Sequence, residues 1–277
     1  MCPPEIVTAL KDREISRRGL LKFGLGAAVA AAAAGTGVVE AAPERRVSYR
    51  SVLDLTHVLG PGFPLFPGAP SEFKIQQAVS HEKDGYYGSV LTYWEHSGTH
   101  MDAPIHFAPK GLFVDQIPAS SLVVPAAVVN ISERAAKDPD TMVMPDDLRA
   151  WERRYGRLPA NAAVLMVSGW GARAGSVESF RNTDASNVMH FPGFSKDAID
   201  WLLTERQITG IGVDTMSLDP GNSKDFAVHF TLLGANRWGL ENLANLEGLP
   251  PSGATIVVGA PKVAAGSGGP SRVIGLW

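Results

Sequence analysis

The segment His96-Ser-Gly-Thr-His-Met-Asp-Ala-Pro-Ile-His-Phe107 constrains this chain more than any other stretch. It gathers three of the 7 histidines and an aspartate among residues that do not propagate a helix. Gly98 is entropically costly in a helix, Thr99 is β-branched, and Pro104 biases Ala103 toward extended backbone. In an extended chain, side chains two apart share a face. His96, His100, Asp102 and His106 all occupy even positions, so an extended or gently bent segment aims all four to one side. A helix would align only His96 with His100.

Two imidazoles and a carboxylate on one side make a nitrogen–nitrogen–oxygen set for a divalent cation, with a position left for water. A buried carboxylate beside imidazoles is costly unless a cation or an ion pair compensates it. From the residues alone His106, beyond Pro104, reads either as a further ligand or as a free acid/base group. Imidazole suits the second role near neutrality. Zinc and manganese both accept such ligands. His57, His81 and His190 are isolated and read as ordinary polar residues.

The rest of the composition removes alternatives. The chain has 277 residues, 45% hydrophobic and 19% charged, with a formal net charge of −3. That is globular composition without the basic excess expected of a nucleic-acid partner. Ser16-Arg17-Arg18-Gly19-Leu20-Leu21-Lys22 precedes an uncharged, alanine-rich run from Phe23 to Val39. This resembles a twin-arginine (Tat) export signal, with cleavage expected after Ala41. Export by the Tat translocase would place the mature chain, residues 42–277, in the periplasm or outside the cell. It would also discard Cys2, the one cysteine, leaving no disulfide, thiolate ligand or cysteine nucleophile. No G-x-S-x-G surrounds any serine, and Gly266 to Pro270 lacks the lysine and helix of a P-loop.

The mature chain reads as a single domain of α/β class: a compact, mixed β-rich core with flanking helices. Strands are expected over Arg50–His57, Glu72–Val79, Gly88–Glu95, Leu122–Ile131, Ala162–Ser168, Ile208–Val213, Thr255–Val258 and Arg272–Leu276. Helices are expected over Pro145–Tyr155, with proline in the first turn, over Ser195–Arg206, capped by Ser195, and over Trp238–Leu246.

The motif resembles the H-x-G-T-H-x-D-x-P-x-H signature of the cyclase-type metal-dependent hydrolases, which include bacterial kynurenine formamidases and isatin hydrolases. Gly212-Val-Asp-Thr-Met-Ser-Leu-Asp-Pro-Gly-Asn-Ser-Lys224 is similar to a second formamidase segment. Asp54-Leu-Thr, Phe66-Pro-Gly and Gly266-Ser-Gly-Gly-Pro270 with Arg272 extend the likeness over most of the mature chain. The resemblance implies the cyclase fold, a homodimer or homotetramer, and one or two divalent ions, Zn²⁺ or Mn²⁺. His96, His100 and Asp102 would hold the first ion, and Asp102 would bridge to a second held also by His229 and Glu241. Isatin hydrolases differ at the acidic position, so Glu241 leans toward a formamidase-like centre.

The implied activity is hydrolysis of an amide bond, arylformamidase-like, on an N-formylkynurenine-type or related aryl or cyclic amide. Metal-activated water would attack the carbonyl, with His106 as acid/base. The alternatives are an isatin or cyclic-imide hydrolase, a lyase or cyclase on the same scaffold, or a non-catalytic periplasmic metal-binding protein. Phe63, Phe66, Trp94 and Trp170 are the aromatic residues expected to line the substrate pocket.

Overall fold

The computed structural model describes residues 48–277. The segment read as a Tat signal lies outside the described residues. In chain order the strands are β1 (Val52–Asp54), β2 (Lys74–Val79), β3 (Gly88–Thr92), β4 (His100–Asp102), β5 (Val123–Asn130), β6 (Met142–Val143) and β7 (Ala162–Val167). They continue as β8 (Gly193–Phe194), β9 (Ile208–Val213), β10 (Trp238–Glu241), β11 (Ala254–Gly259), β12 (Gly268–Pro270) and β13 (Arg272–Leu276). Among the described residues three helices run two turns or more: α1 (Pro145–Tyr155), α2 (Lys196–Glu205) and α3 (Ala227–Gly234).

The continuous apolar runs of β5, β7 and β9 explain the architecture. Strands apolar at every position must be covered on both faces, the situation of parallel strands at the centre of a sheet. β5 pairs parallel with β7, and β7 with β9. All six residues of β7 are buried. One face, carrying Ala127, Val129, Val164, Met166, Ile211 and Val213, packs under the helices against Leu148, Trp151, Ile199, Leu202, Val228 and Leu232. The other, carrying Ala126, Val128, Ala163 and Leu165, packs against Met101, Leu240, Leu249, Ile256 and Val273.

Antiparallel strands extend this centre into a nine-stranded sheet of order β1-β13-β11-β5-β7-β9-β10-β4-β12. A mixed α/β core with flanking helices is therefore what the chain forms. α1 and α2 lie where the sequence predicts them. Ser195 caps α2, its hydroxyl accepting the Ala198 N–H at 3.1 Å.

Two local expectations are corrected. Trp238–Leu246 is not a helix: its first four residues are β10, buried throughout, parallel to β9 and antiparallel to β4. A Cβ on Gly239 would approach a Leu218 methyl at 2.5 Å, so that side chain would have to shift to admit one. Short apolar runs are ambiguous between buried strand and helix, and here two neighbouring strands decide. The histidine motif is also not extended throughout. After β4 the chain forms a 3₁₀ turn over Pro104–His106, where proline occupies the first helical position and needs no N–H partner.

Candidate metal centre

β4 carries His100 and Asp102 and lies between β10 and β12. Its register sets Glu241 and Pro270 opposite His100, and Gly239 and Gly268 opposite Asp102. Gly98, with φ +64°, turns the chain into β4 in a left-handed conformation that favours glycine. Its carbonyl accepts the His100 Nδ1–H at 2.8 Å, which leaves Nε2 to face the carboxylates. α3 brings in His229, whose Nδ1–H donates to Asp219 at 2.6 Å.

Ring nitrogens converge on carboxylates. His100 Nε2 lies 3.3 Å from Asp102 Oδ1 and 3.4 Å from Glu241 Oε2. His229 Nε2 lies 3.1 Å from Glu241 Oε1 and 3.4 Å from Asp102 Oδ2. His96 Nδ1 lies 2.7 Å from Asp102 Oδ1. Asp102, His100, His229 and Glu241 are all buried, at 1%, 2%, 4% and 6% exposure.

Burial alone would push His100 down, but hydrogen bonding and charge from Asp102, then Glu241 and the Gly98 carbonyl, take it up to about 9. Burial is likewise outweighed at His229 by Asp102, Asp219 and Glu241, which hold it well above the ordinary imidazole value. Asp102, which burial would raise, is held well below the carboxylate range by His100, His229 and His96.

These donors fit a divalent cation. His100 Nε2 and Asp102 Oδ2 are buried without a hydrogen-bond partner, a costly condition unless a cation takes them up. Two sets of ligand atoms, His96/Asp102/His106 and His100/Asp102/Glu241, each lie within 4.8 Å of one another and share Asp102. The structure therefore brings together four of the residues expected to hold metal, His96, His100, Asp102 and Glu241, and sets the fifth, His229, against Asp102 and Glu241.

His106 stands slightly apart. Its ring stacks on that of His96 at 3.8 Å between centroids and an interplanar angle of 22°. Burial lowers its pKa, Asp102 opposes this, and the neighbouring histidines add to it, giving about 4. At neutral pH it is an uncharged imidazole able to accept a proton.

A cavity of about 230 Å³ opens onto these imidazoles and Glu241. Phe66, Trp94, Phe107 and Phe226 form its aromatic walls. Phe63 and Trp170 are placed elsewhere. Phe63 packs on His57 and Phe180 and lines an adjoining depression. Trp170 is 1% exposed among Phe180, Met189, Phe191 and Met216, with Nε1 donating to the Phe180 carbonyl at 2.8 Å. The cause is Asp214, which accepts the Ser168, Gly169 and Trp170 N–H groups and fixes that turn with the indole facing the core.

Besides Phe107 in the cavity wall, Asp219 and Phe226 carry roles in the site that the sequence does not announce. Asp219 belongs to the second motif, and its carboxylate accepts from the Val228 and His229 N–H groups as well as from the His229 ring. It thereby orients the histidine, as carboxylates behind metal-ligating imidazoles do. Phe226 precedes α3 at φ 50° and ψ 40°, a left-handed conformation uncommon for a bulky side chain and concentrated at functional sites. Nothing local in the sequence marks it.

Residues 53–220 match the family model Cyclase, described as "Putative cyclase". The chain belongs to the Cyclase family. The isatin hydrolase of Roseibium aggregatum is 33% identical over 241 residues, covering 81% of this chain and 91% of that one. The kynurenine formamidase of Salinibacter ruber is 25% identical, covering 81% and 96%. The structure of isatin hydrolase A from Ralstonia solanacearum superposes with a TM-score of 0.78 at 36% identity, covering 82% and 91%. On this cyclase scaffold the chain is a metal-dependent amide hydrolase, acting on a C–N bond other than a peptide bond.

Proposed function

We propose that this cyclase-family hydrolase opens the ring of a flat aryl-fused cyclic amide of the isatin type. The observation that carries the reading is a His/Asp/Glu cluster at the floor of a cavity walled by Phe66, Trp94, Phe107 and Phe226. Such walls suit a planar bicyclic ring, since stacked and edge-on aromatic contacts favour it beyond simple burial. Identity of 33–36% to isatin hydrolases, against 25% to the formamidase, supports the same choice.

His96, His100 and Asp102 would hold one ion, zinc or manganese, and Asp102, His229 and Glu241 a second. When bound, the metal supplies Lewis-acid polarisation and acidifies water. His106 accepts a proton as water adds to the amide carbonyl carbon, then returns it to the ring nitrogen as the C–N bond breaks. The aromatic walls hold the ring over His106 and exclude bulk water. The expected product is the open-chain amine carboxylate.

A second reading, an arylformamidase acting on an N-formylkynurenine-type substrate, is favoured by Glu241, which supplies the acidic ligand that the formamidase resemblance implies. Metal analysis of the protein, followed by assays on isatin, N-formylkynurenine and small cyclic imides with Mn²⁺ or Zn²⁺, separates the two. Preferential turnover of isatin is expected. Preferential deformylation would replace the first reading with the second. We further propose that the enzyme works outside the cytoplasm after Tat export, as a homodimer or homotetramer. Cell fractionation and light scattering test these two points.

A further inference from the structure

Glu95, the residue before the histidine motif, takes no part in the chemistry above. Its carboxylate is nevertheless occupied by one distant residue. Oε2 accepts the Ser267 N–H at 2.9 Å, and Oε1 accepts the Ser267 hydroxyl at 2.8 Å. Ser267 Oγ also lies 2.9 Å from His96 Nε2. The other nitrogen of that ring, Nδ1, lies 2.7 Å from Asp102 Oδ1. The four side chains form one line: Glu95, Ser267, His96, Asp102.

The direction of each bond follows from what each group can donate. An ionised carboxylate only accepts, and a hydroxyl has one proton to give. Ser267 gives that proton to Glu95, so toward His96 it can only accept, and His96 Nε2 must carry the hydrogen. A neutral imidazole has a single N–H. An imidazole that binds a metal ion is neutral, so Nδ1 would then offer its lone pair on the side of Asp102 Oδ1, where the cation would lie.

The position of Ser267 is rigid. Its carbonyl accepts the Ala103 N–H at 2.9 Å. A Cβ on the next residue, Gly268, would meet the Met101 carbonyl at 2.2 Å and His96 Cε1 at 2.9 Å.

We propose that Glu95 and Ser267 are positioning residues that hold His96 in its Nε2–H tautomer and so present Nδ1 to the metal. His100 and His229 are set in the opposite sense by the Gly98 carbonyl and Asp219, and present Nε2. The proposal rests on the reading of the metal centre given above.

Glu95→Gln is the discriminating variant because it preserves shape and reverses the line. The amide oxygen still accepts the Ser267 N–H, while the amide NH₂ now donates to Ser267 Oγ. The hydroxyl proton turns to His96 Nε2 and moves the ring hydrogen to Nδ1. Metal-stripped protein is titrated with Zn²⁺ against a chelator of known affinity. Glu95→Gln is expected to bind about 10–100-fold more weakly than wild type. Ser267→Ala, which imposes neither tautomer, should lose less, and Ser267→Thr should retain wild-type affinity.

Long-range ¹H–¹⁵N spectra of the histidine rings supply a readout that a merely structural role would not move: Nε2–H for His96 in the wild type, Nδ1–H in Glu95→Gln. Unchanged zinc affinity or an unchanged tautomer in Glu95→Gln overturns the proposal. If that variant does not fold, equal affinities for Ser267→Ala and Ser267→Thr overturn it. Failure of the wild type to take up zinc or manganese would instead overturn the metal-centre reading itself.

Discussion

Glu241 and His100 are direct partners across the antiparallel pair of β10 and β4, with Oε2 3.4 Å from Nε2. Residues directly opposite in such a pair have Cβ atoms about 4.5–5.5 Å apart, so backbone hydrogen bonding fixes the spacing of two proposed ligands. Glu241→Gln keeps the shape and removes the charge. It is expected to weaken one ion by more than about tenfold and to lower kcat. Metal stoichiometry by elemental analysis and steady-state kinetics check both effects.

Asp219 is the buried anchor of His229. Asparagine there retains an oxygen for one N–H but cannot accept all three hydrogen bonds. Asp219→Asn is expected to reduce metal affinity about 10–100-fold. It should also cost about 1–3 kcal/mol of stability through the unmet buried donors. Chelator competition and urea unfolding measure the two losses separately.

The stability of the metal-stripped protein should peak near pH 6.5. His100 is raised to about 9 when folded, so its contribution is full below the unfolded value of about 6.5 and is lost as pH rises through 9. His229 acts in the same direction. His106 is lowered to about 4, so the unfolded chain binds that proton first and stability falls from pH 6.5 toward 4. Asp102, held low, removes stability at more acidic pH still. Thermal melts from pH 4 to 9 test this. Bound Zn²⁺ should flatten the alkaline side, because the cation replaces the protons on these imidazoles.

The aromatic residues divide into two classes by experiment. Phe66→Ala and Trp94→Ala, in the cavity wall, should raise KM for a flat cyclic amide with little change in melting temperature. Trp170→Ala should do the reverse. It is expected to cost about 3–5 kcal/mol of stability, as large core truncations do, with KM unchanged for the folded fraction. A KM insensitive to Trp94→Ala would remove that residue from the wall.

Legibility in the sequence followed how local each signal was. The runs that became β5, β7 and β9 announced buried strands through composition alone. α1 and α2 announced themselves through Pro145 at the first turn and the Ser195 cap. The histidine motif revealed a shared direction, although His106 reaches the site through a 3₁₀ turn and not by even spacing along a strand. What could not be read depends on distant partners. β10 is a strand because β4 and β9 flank it. Trp170 is a core residue because Asp214 ties down its turn. Asp219 stands in the Gly212–Lys224 motif, yet its task is visible only once α3 sets His229 against it. Glu95 carries no local mark, since its partner is Ser267.

The place of β4 between β10 and β12 also sets an order in time. During synthesis the histidine motif leaves the ribosome long before either flanking strand exists, and the helix bearing His229 is likewise still to come. Until the last segment of the chain has been made and paired, the early histidines have neither Glu241 opposite them nor Gly268 behind them. The set of residues that would hold the ion is therefore complete only in the finished fold.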